Sequence, residues 1–300
     1  MRIRTVGLLL FSLLFFLSSM ILAGDYQKIF SIEDPVGDDY GPGTYYYPTD
    51  DVFKTAKGLF DITSFSISES EEDYLLVFEF SKLTDSWQSK FGFSLPFIEL
   101  YIDNQKGGST GLFRSGSNVR LDSRHPWDLL ITLSGWWVRA YKPDAREKEA
   151  DFWNTDENPW DVKNATVEVE DNRILLYLNK EVTGQLKGSY LYLLVGGFDP
   201  FGPGYYRNIS NQYSRWSFAD PEHEDLGYAP RVIDIILPEG KEQKSVLADF
   251  AEDYPLVYPV RITCTKGLFP YLKLLIPIIF LLILLIFIMY KKPLISHNNK

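Results

Sequence analysis

The sequence predicts an all-β protein: an antiparallel, jelly-roll-like β-sandwich followed by one C-terminal transmembrane helix. Three observations predict it. Short runs of aromatic and branched residues recur between clusters of Gly, Pro, Asn and Asp, as in sandwiches. No long amphipathic helical period interrupts them. Near the C-terminus, residues 274–290 form an apolar run without a charge.

In chain order, Arg2 and Arg4 precede an apolar run over 6–16 and small residues up to Ala23. That pattern reads as a secretory signal over 1–23, cleaved near Ala23. The sandwich is assigned to 24–238. Its expected strands are 60–67, 75–80, 97–102, 129–133, 136–141, 165–169, 173–178, 190–195 and 232–237. Asp171-Asn172 separates two of these runs as a tight hairpin turn. After Pro238 the texture turns to charge, Tyr and Pro, which reads as a stalk over 239–267. Residues 268–290 suit a spanning helix, with Lys273 placed to snorkel and Pro277 to kink its first turns. Lys291, Lys292 and Lys300 make 291–300 a basic cytoplasmic tail, so the expected topology is a single-pass cell-membrane protein with its ectodomain outside.

All 40 acidic residues lie between the two apolar ends against 24 of the 30 basic ones, a balance of −16. Such a field disfavours nucleic acid and anionic lipid as partners and favours cations or neutral ligands. The lone cysteine, Cys264, permits no intramolecular disulfide, so core burial must hold the domain together. Two sequons, at Asn164 and Asn208, are candidate glycosylation sites in the exported part.

The most informative stretch is 34–48, Asp-Pro-Val-Gly-Asp-Asp-Tyr-Gly-Pro-Gly-Thr-Tyr-Tyr-Tyr-Pro. Asp34, Asp38 and Asp39 fall within six residues, on a loop whose glycines permit sharp turns. Calcium takes six to eight oxygen ligands, several of which such a loop can supply. Asp61 and Asp103, at the ends of expected strands, would complete a structural calcium site if those ends meet. The spacing is not that of an EF-hand, and a solvated acidic turn with Asx hydrogen bonds is the bland alternative.

This loop, with Pro-Thr-Asp at 48–50, Gly-Leu-Phe-Asp-Ile at 58–62, Gly-Phe-Ser-Leu at 92–95, Leu-Tyr-Ile-Asp at 100–103 and Gly-Phe-Asp-Pro-Phe-Gly-Pro-Gly at 197–204, resembles the C-terminal binding module of glucodextranase. It is also similar to a wider group of β-sandwiches that includes family 9 carbohydrate-binding modules. The resemblance spans about 30–238. It implies a sandwich that binds carbohydrate or a cell-surface polymer, often with structural calcium. S-layer-homology-like modules also imply wall attachment. Two departures stand out: Gly204-Tyr205-Tyr206-Arg207 replaces the family's usual acid and Arg-rich run, and no catalytic domain accompanies the module.

All seven tryptophans lie in the ectodomain. Sugar rings stack their C–H faces on aromatic rings, whereas core packing is the ordinary fate of large aromatics. Trp136 and Trp137 are neighbours on an expected strand, so their rings should face opposite sides. Trp153 and Trp160, in the acidic loop 151–161, and Trp137 are the stacking candidates, with Asp199 as a polar partner for hydroxyls.

An enzyme is disfavoured. Among exported residues the histidines are His125 and His223, and no nucleophile elbow, zinc-type His pair or phosphate loop is present. Haem ligation through Met and His is excluded by Met1, Met20 and Met289, which all fall in the signal or anchor. The expected function is non-catalytic binding of α-glucan or a cell-surface polysaccharide, with a structural or attachment role in the surface layer as the alternative. A secreted enzyme or surface-layer component is the expected protein partner.

Overall fold

Strands follow in chain order as β1 (Gln27–Glu33), β2 (Ile62–Glu69), β3 (Asp73–Phe80), β4 (Pro96–Asp103), β5 (Arg120–Leu121), β6 (Leu129–Leu133), β7 (Val138–Tyr141) and β8 (Thr166–Glu170). They continue as β9 (Arg173–Asn179), β10 (Tyr190–Gly197), β11 (Ile209–Ser210), β12 (Phe218–Ala219), β13 (Val232–Ile236), β14 (Leu256–Val257) and β15 (Val260–Arg261). Among the described residues, two short α-helices, α1 (Lys180–Thr183) and α2 (Gln243–Leu247), and two 3-10 turns, Asp51–Phe53 and Pro203–Tyr205, accompany them. This computed structural model describes residues 26–145 and 158–263. The expected signal, Cys264, the membrane helix, the tail and Trp153 lie outside the described residues. Among the described residues no helix is long and apolar enough to cross a membrane.

Two antiparallel sheets carry the fold, in strand orders β1-β2-β3-β9-β8 and β13-β10-β4-β6-β7. They share one apolar core, as in a β-sandwich: Phe65, Leu76 and Phe78 from the first sheet meet Ile98, Leu100 and Leu193 from the second. The edge strand β8 alternates, with Glu168 and Glu170 exposed, which protects the edge against further pairing. Glu170 pairs with Arg173 across Asp171-Asn172, and Asp171 adopts φ 56°, so the expected tight hairpin turn is present.

The second sheet is buried on both faces, which explains its near-continuous apolar runs such as 129–133 and 232–236. Ile98, Leu100 and Ile102 point into the shared core. Phe97 and Tyr101, with opposite parity, point into a second cluster containing Trp127, Tyr205 and Tyr206. Between them Glu99 is buried, accepting from Tyr206 Oη (3.0 Å) and Tyr101 Oη (3.3 Å). Burial pushes its pKa up to about 7, against the hydrogen bonds and the Arg114 charge.

Two expectations are corrected here. Trp136 and Trp137 precede β7 in a turn, so strand alternation does not separate them, and both rings pack on Phe198 (4.9 and 5.4 Å). Residues 239–263 are not an extended stalk. Helix α2 buries Val246 and Leu247, β14 pairs with β5, and β15 pairs with β10. Gln243 is the polar clamp, accepting from Ile235 N (2.8 Å) and donating to the Ile233 and Asp38 carbonyls. The apolar residues hidden among charges in this stretch supply the burial that a stalk would lack.

Candidate metal centre and aromatic surface

The acidic loop leaves the end of β1, where Asp34 N donates to Thr63 O (2.9 Å). Gly41 sits at φ +56°, with the Tyr45 ring 2.5 Å from where a Cβ would stand, so this turn requires glycine. Its N–H donates to Ile233 O (2.9 Å). Ile233 is the residue skipped where the β10–β13 register shifts, so a bulge frees its carbonyl to anchor the loop. The same bulge lies directly before Asp234.

Asp34, Asp38 and Asp234 each bring a carboxylate oxygen within 4.8 Å of the other two. Asp61 and Asp39 support this trio. Asp61 Oδ2 accepts from Gly37 N (2.9 Å) and Ser81 Oγ, while Asp39 Oδ2 accepts from Phe60 N (3.3 Å) and Tyr47 Oη. Asp234 accepts from Ile62 N (2.7 Å) and Ile235 N (2.8 Å), which fixes its carboxylate. Asp34 Oδ2, Asp38 Oδ1, Asp39 Oδ1 and Asp61 Oδ1 are buried without a hydrogen-bond partner. No lysine or arginine among the described residues pairs with any of the five.

Burial and mutual repulsion therefore push Asp34 up to about 8, Asp38 and Asp39 up to about 6, and Asp234 well above the carboxylate range. Buried carboxylates with unused oxygens and no counter-charge are the donor set a hard cation requires. The residues present thus fit calcium.

Four of the five sequence-selected acids meet here, and the fifth does not. Asp103 is level with Tyr190 on β10, whereas Asp234 is level with Val195, roughly 17 Å away at about 3.4 Å per residue. Asp103 instead pairs with His125 Nδ1 (3.2 Å). Sequence reasoning missed Asp234, although a lone acid inside Val-Ile-Asp-Ile-Ile was a usable signal.

The selected aromatic positions do not converge on one pocket. Trp137 is 8% exposed, packed on Phe198 and Tyr205, with the Arg139 guanidinium 4.3 Å from its ring centroid. It lines a cleft of about 1000 Å³ with Trp136, Lys90, Asn158, Asp161 and Lys163. Trp160 stands beside a neighbouring, smaller cleft, half-buried against Tyr141 (5.6 Å). Asp199 caps its own turn through Phe201 N (3.0 Å) and lies 3.9 Å from Arg207, so its first role is local. Asn164 and Asn208 are both exposed. Among the described residues the exposed rings are instead Tyr46, Tyr213, Trp216 and Tyr228, with Phe201.

Two mostly antiparallel sheets around a shared core define the fold class: an all-β domain of β-sandwich type. The chain belongs to the family of the C-terminal, SLH-like binding module of glucodextranase, whose profile matches residues 29–259. The match extends past Pro238 through α2 and β14, in agreement with their packing on the sandwich. A search of curated proteins gives no match.

Proposed function

We propose that this chain is a non-catalytic carbohydrate-binding module, stabilised by calcium and displayed outside the cell on a C-terminal membrane anchor. The observation that carries the reading is membership of a binding-module family across nearly the whole described domain. The cleft beside Trp136 and Trp137 supports it, because ring faces, Asn158, Asp161 and two lysines offer stacking surface and hydroxyl partners together. Calcium would be held by Asp34, Asp38 and Asp234, with Asp39 and Asp61 behind them, and would fix the loop 34–47 to β13. The anchor at 268–290 and the signal at 1–23 would set the topology, and Asn164 and Asn208 would be open to glycosylation.

Electrophoresis of the purified full chain through gels containing soluble starch or cell-wall glycan tests the reading. Retardation by one polymer is expected; unchanged mobility in all of them would sink it. The SLH-like character of the family favours a second reading, attachment within a surface layer. Retention by intact cell-wall sheets without retention by soluble glycan would select it.

A further inference from the structure

We propose that Trp216, Trp87 and Trp136 form one linear track that takes an extended, uncharged polysaccharide chain over several sugar units. The inference rests on the carbohydrate reading and specifies its ligand as the body of a chain rather than a chain end or a monosaccharide.

The three tryptophans come from distant parts of the sequence and are brought into one row. Trp216 packs on Phe53 (6.3 Å between centroids), Phe53 on Trp87 (6.4 Å), and Trp87 on Trp136 (6.4 Å, planes within 26°). Phe53 is buried and serves as the floor. Trp216 is 43% exposed, and Trp87 and Trp136 retain partial exposure. From Trp136 the row runs into the cleft that Trp136 and Trp137 line.

A core needs no such row, and Arg207 shows that the fold pays to build one. Its guanidinium is buried beneath the track, 5.1 Å from the Phe53 centroid, 5.8 Å from Trp87 and 6.0 Å from Trp216. Nη1 donates to Trp216 O and Nη2 to Phe198 O, both at 2.6 Å, while Nε has no partner. One buried cation thus fixes the backbone at Trp216 and, through Phe198, the ring on which Trp136 stacks. Desolvation lowers its pKa, the expected sign for a cation held from water.

Charge selects a neutral occupant. The chain is strongly acidic, yet the charges flanking Trp216 and Phe53 are paired with each other, Arg215 with Asp50 (2.6 Å) and Lys54 with Asp51 (3.0 Å). The row therefore offers the partly exposed portions of three tryptophan rings, with paired charges at its Trp216 end, which suits a polymer with apolar C–H faces and hydroxyl edges. A row, unlike a single pocket, gains contacts with each added sugar unit.

The test is calorimetric titration of the intact, calcium-loaded protein with linear oligosaccharides, from disaccharide to heptasaccharide, of α-glucan and of β-linked cell-wall glucan. Affinity is expected to rise about tenfold or more along one series, and Trp216→Ala to lower heptasaccharide affinity about fivefold to tenfold, flattening the length dependence. Trp87→Ala should act in the same direction, with an unchanged far-ultraviolet spectrum reporting a folded variant. Binding that is independent of length and indifferent to both substitutions would overturn the track while leaving the carbohydrate reading intact. No binding to any sugar would remove both. Self-association abolished by Trp216→Ala, without sugar binding, would assign the row to a second copy of the chain and overturn the proposal.

Discussion

The acidic centre and the tryptophan row differ first in how their members are spread along the chain. Asp34, Asp38 and Asp39 are close neighbours in sequence, with Asp61 near by, and only Asp234 arrives from afar. The row takes Phe53, Trp87, Trp136, Arg207 and Trp216 from five separate segments, none with a local signature. The two also solve the buried-charge problem in opposite ways. The acidic centre gathers like charges with unused oxygens, which the cation of the proposed function would offset. The row buries one cation, Arg207, and holds it from within by two carbonyls, ring faces and the Asp199 carboxylate 3.9 Å away. A region that depends on a ligand should respond to solution conditions, and one that is internally satisfied should respond to substitution.

The largest expected effect tests the internally satisfied side. Arg207→Ala leaves two carbonyls without their donor and removes stacking from three rings, so a loss of about 4 kcal/mol is expected in urea unfolding. A loss under about 1 kcal/mol would show that the row does not depend on its buried cation. At the acidic centre, calcium at about a hundred times its Kd is expected to add about 2.7 kcal/mol, or roughly 5–10 °C in Tm for a domain of this size, as thermal melts with and without chelator would read. Asp34→Asn should abolish that calcium-induced rise while leaving the chelated protein no less stable, because it removes one member of a repelling cluster.

A third experiment sharpens the contrast with a buried acid outside the centre. Glu99 has its pKa raised to about 7, so its protonated form is favoured in the folded state. Its stabilising contribution is complete below the unfolded carboxylate pKa and is lost as pH rises through 7. In saturating calcium, the protein should therefore lose about 2 kcal/mol relative to Glu99→Gln between about pH 5.5 and pH 8. Parallel stability curves for the two proteins would contradict this. The smallest effect is expected at Trp216, where Trp216→Ala should change thermal stability by less than about 1 kcal/mol, since its ring is 43% exposed and meets Phe53 edge-on. A larger loss would make Trp216 a core residue rather than a ligand surface.

The same contrast explains what was legible in the sequence. Short aromatic and branched runs bounded by turn residues marked strands such as β6 and β9 because those signals are local. β1 escaped notice because its one buried pair, Ile29 and Phe30, sits among polar neighbours and its place is set by pairing with β2. The acidic loop was readable as a donor set, but Asp103 and Asp234 were not separable without the β4–β10–β13 register. Residues 239–263 read as a stalk because charge dominates their composition, while a few buried side chains, Leu247 and Ile262 among them, decide where they pack. Trp137 was selected for its ring, yet its neighbours Phe198 and Tyr205, distant in sequence, bury it. Exposure at Trp216 likewise depends on which segments cover it.

The central claim is that the acidic centre is a cation site that ties the loop 34–47 to β13. Calorimetric titration of calcium into the chelator-treated protein tests it most directly. The account predicts saturable binding at one site per chain, lost in both Asp34→Asn and Asp234→Asn. Absence of calcium binding by the folded protein, with a melting temperature indifferent to chelator, would contradict it.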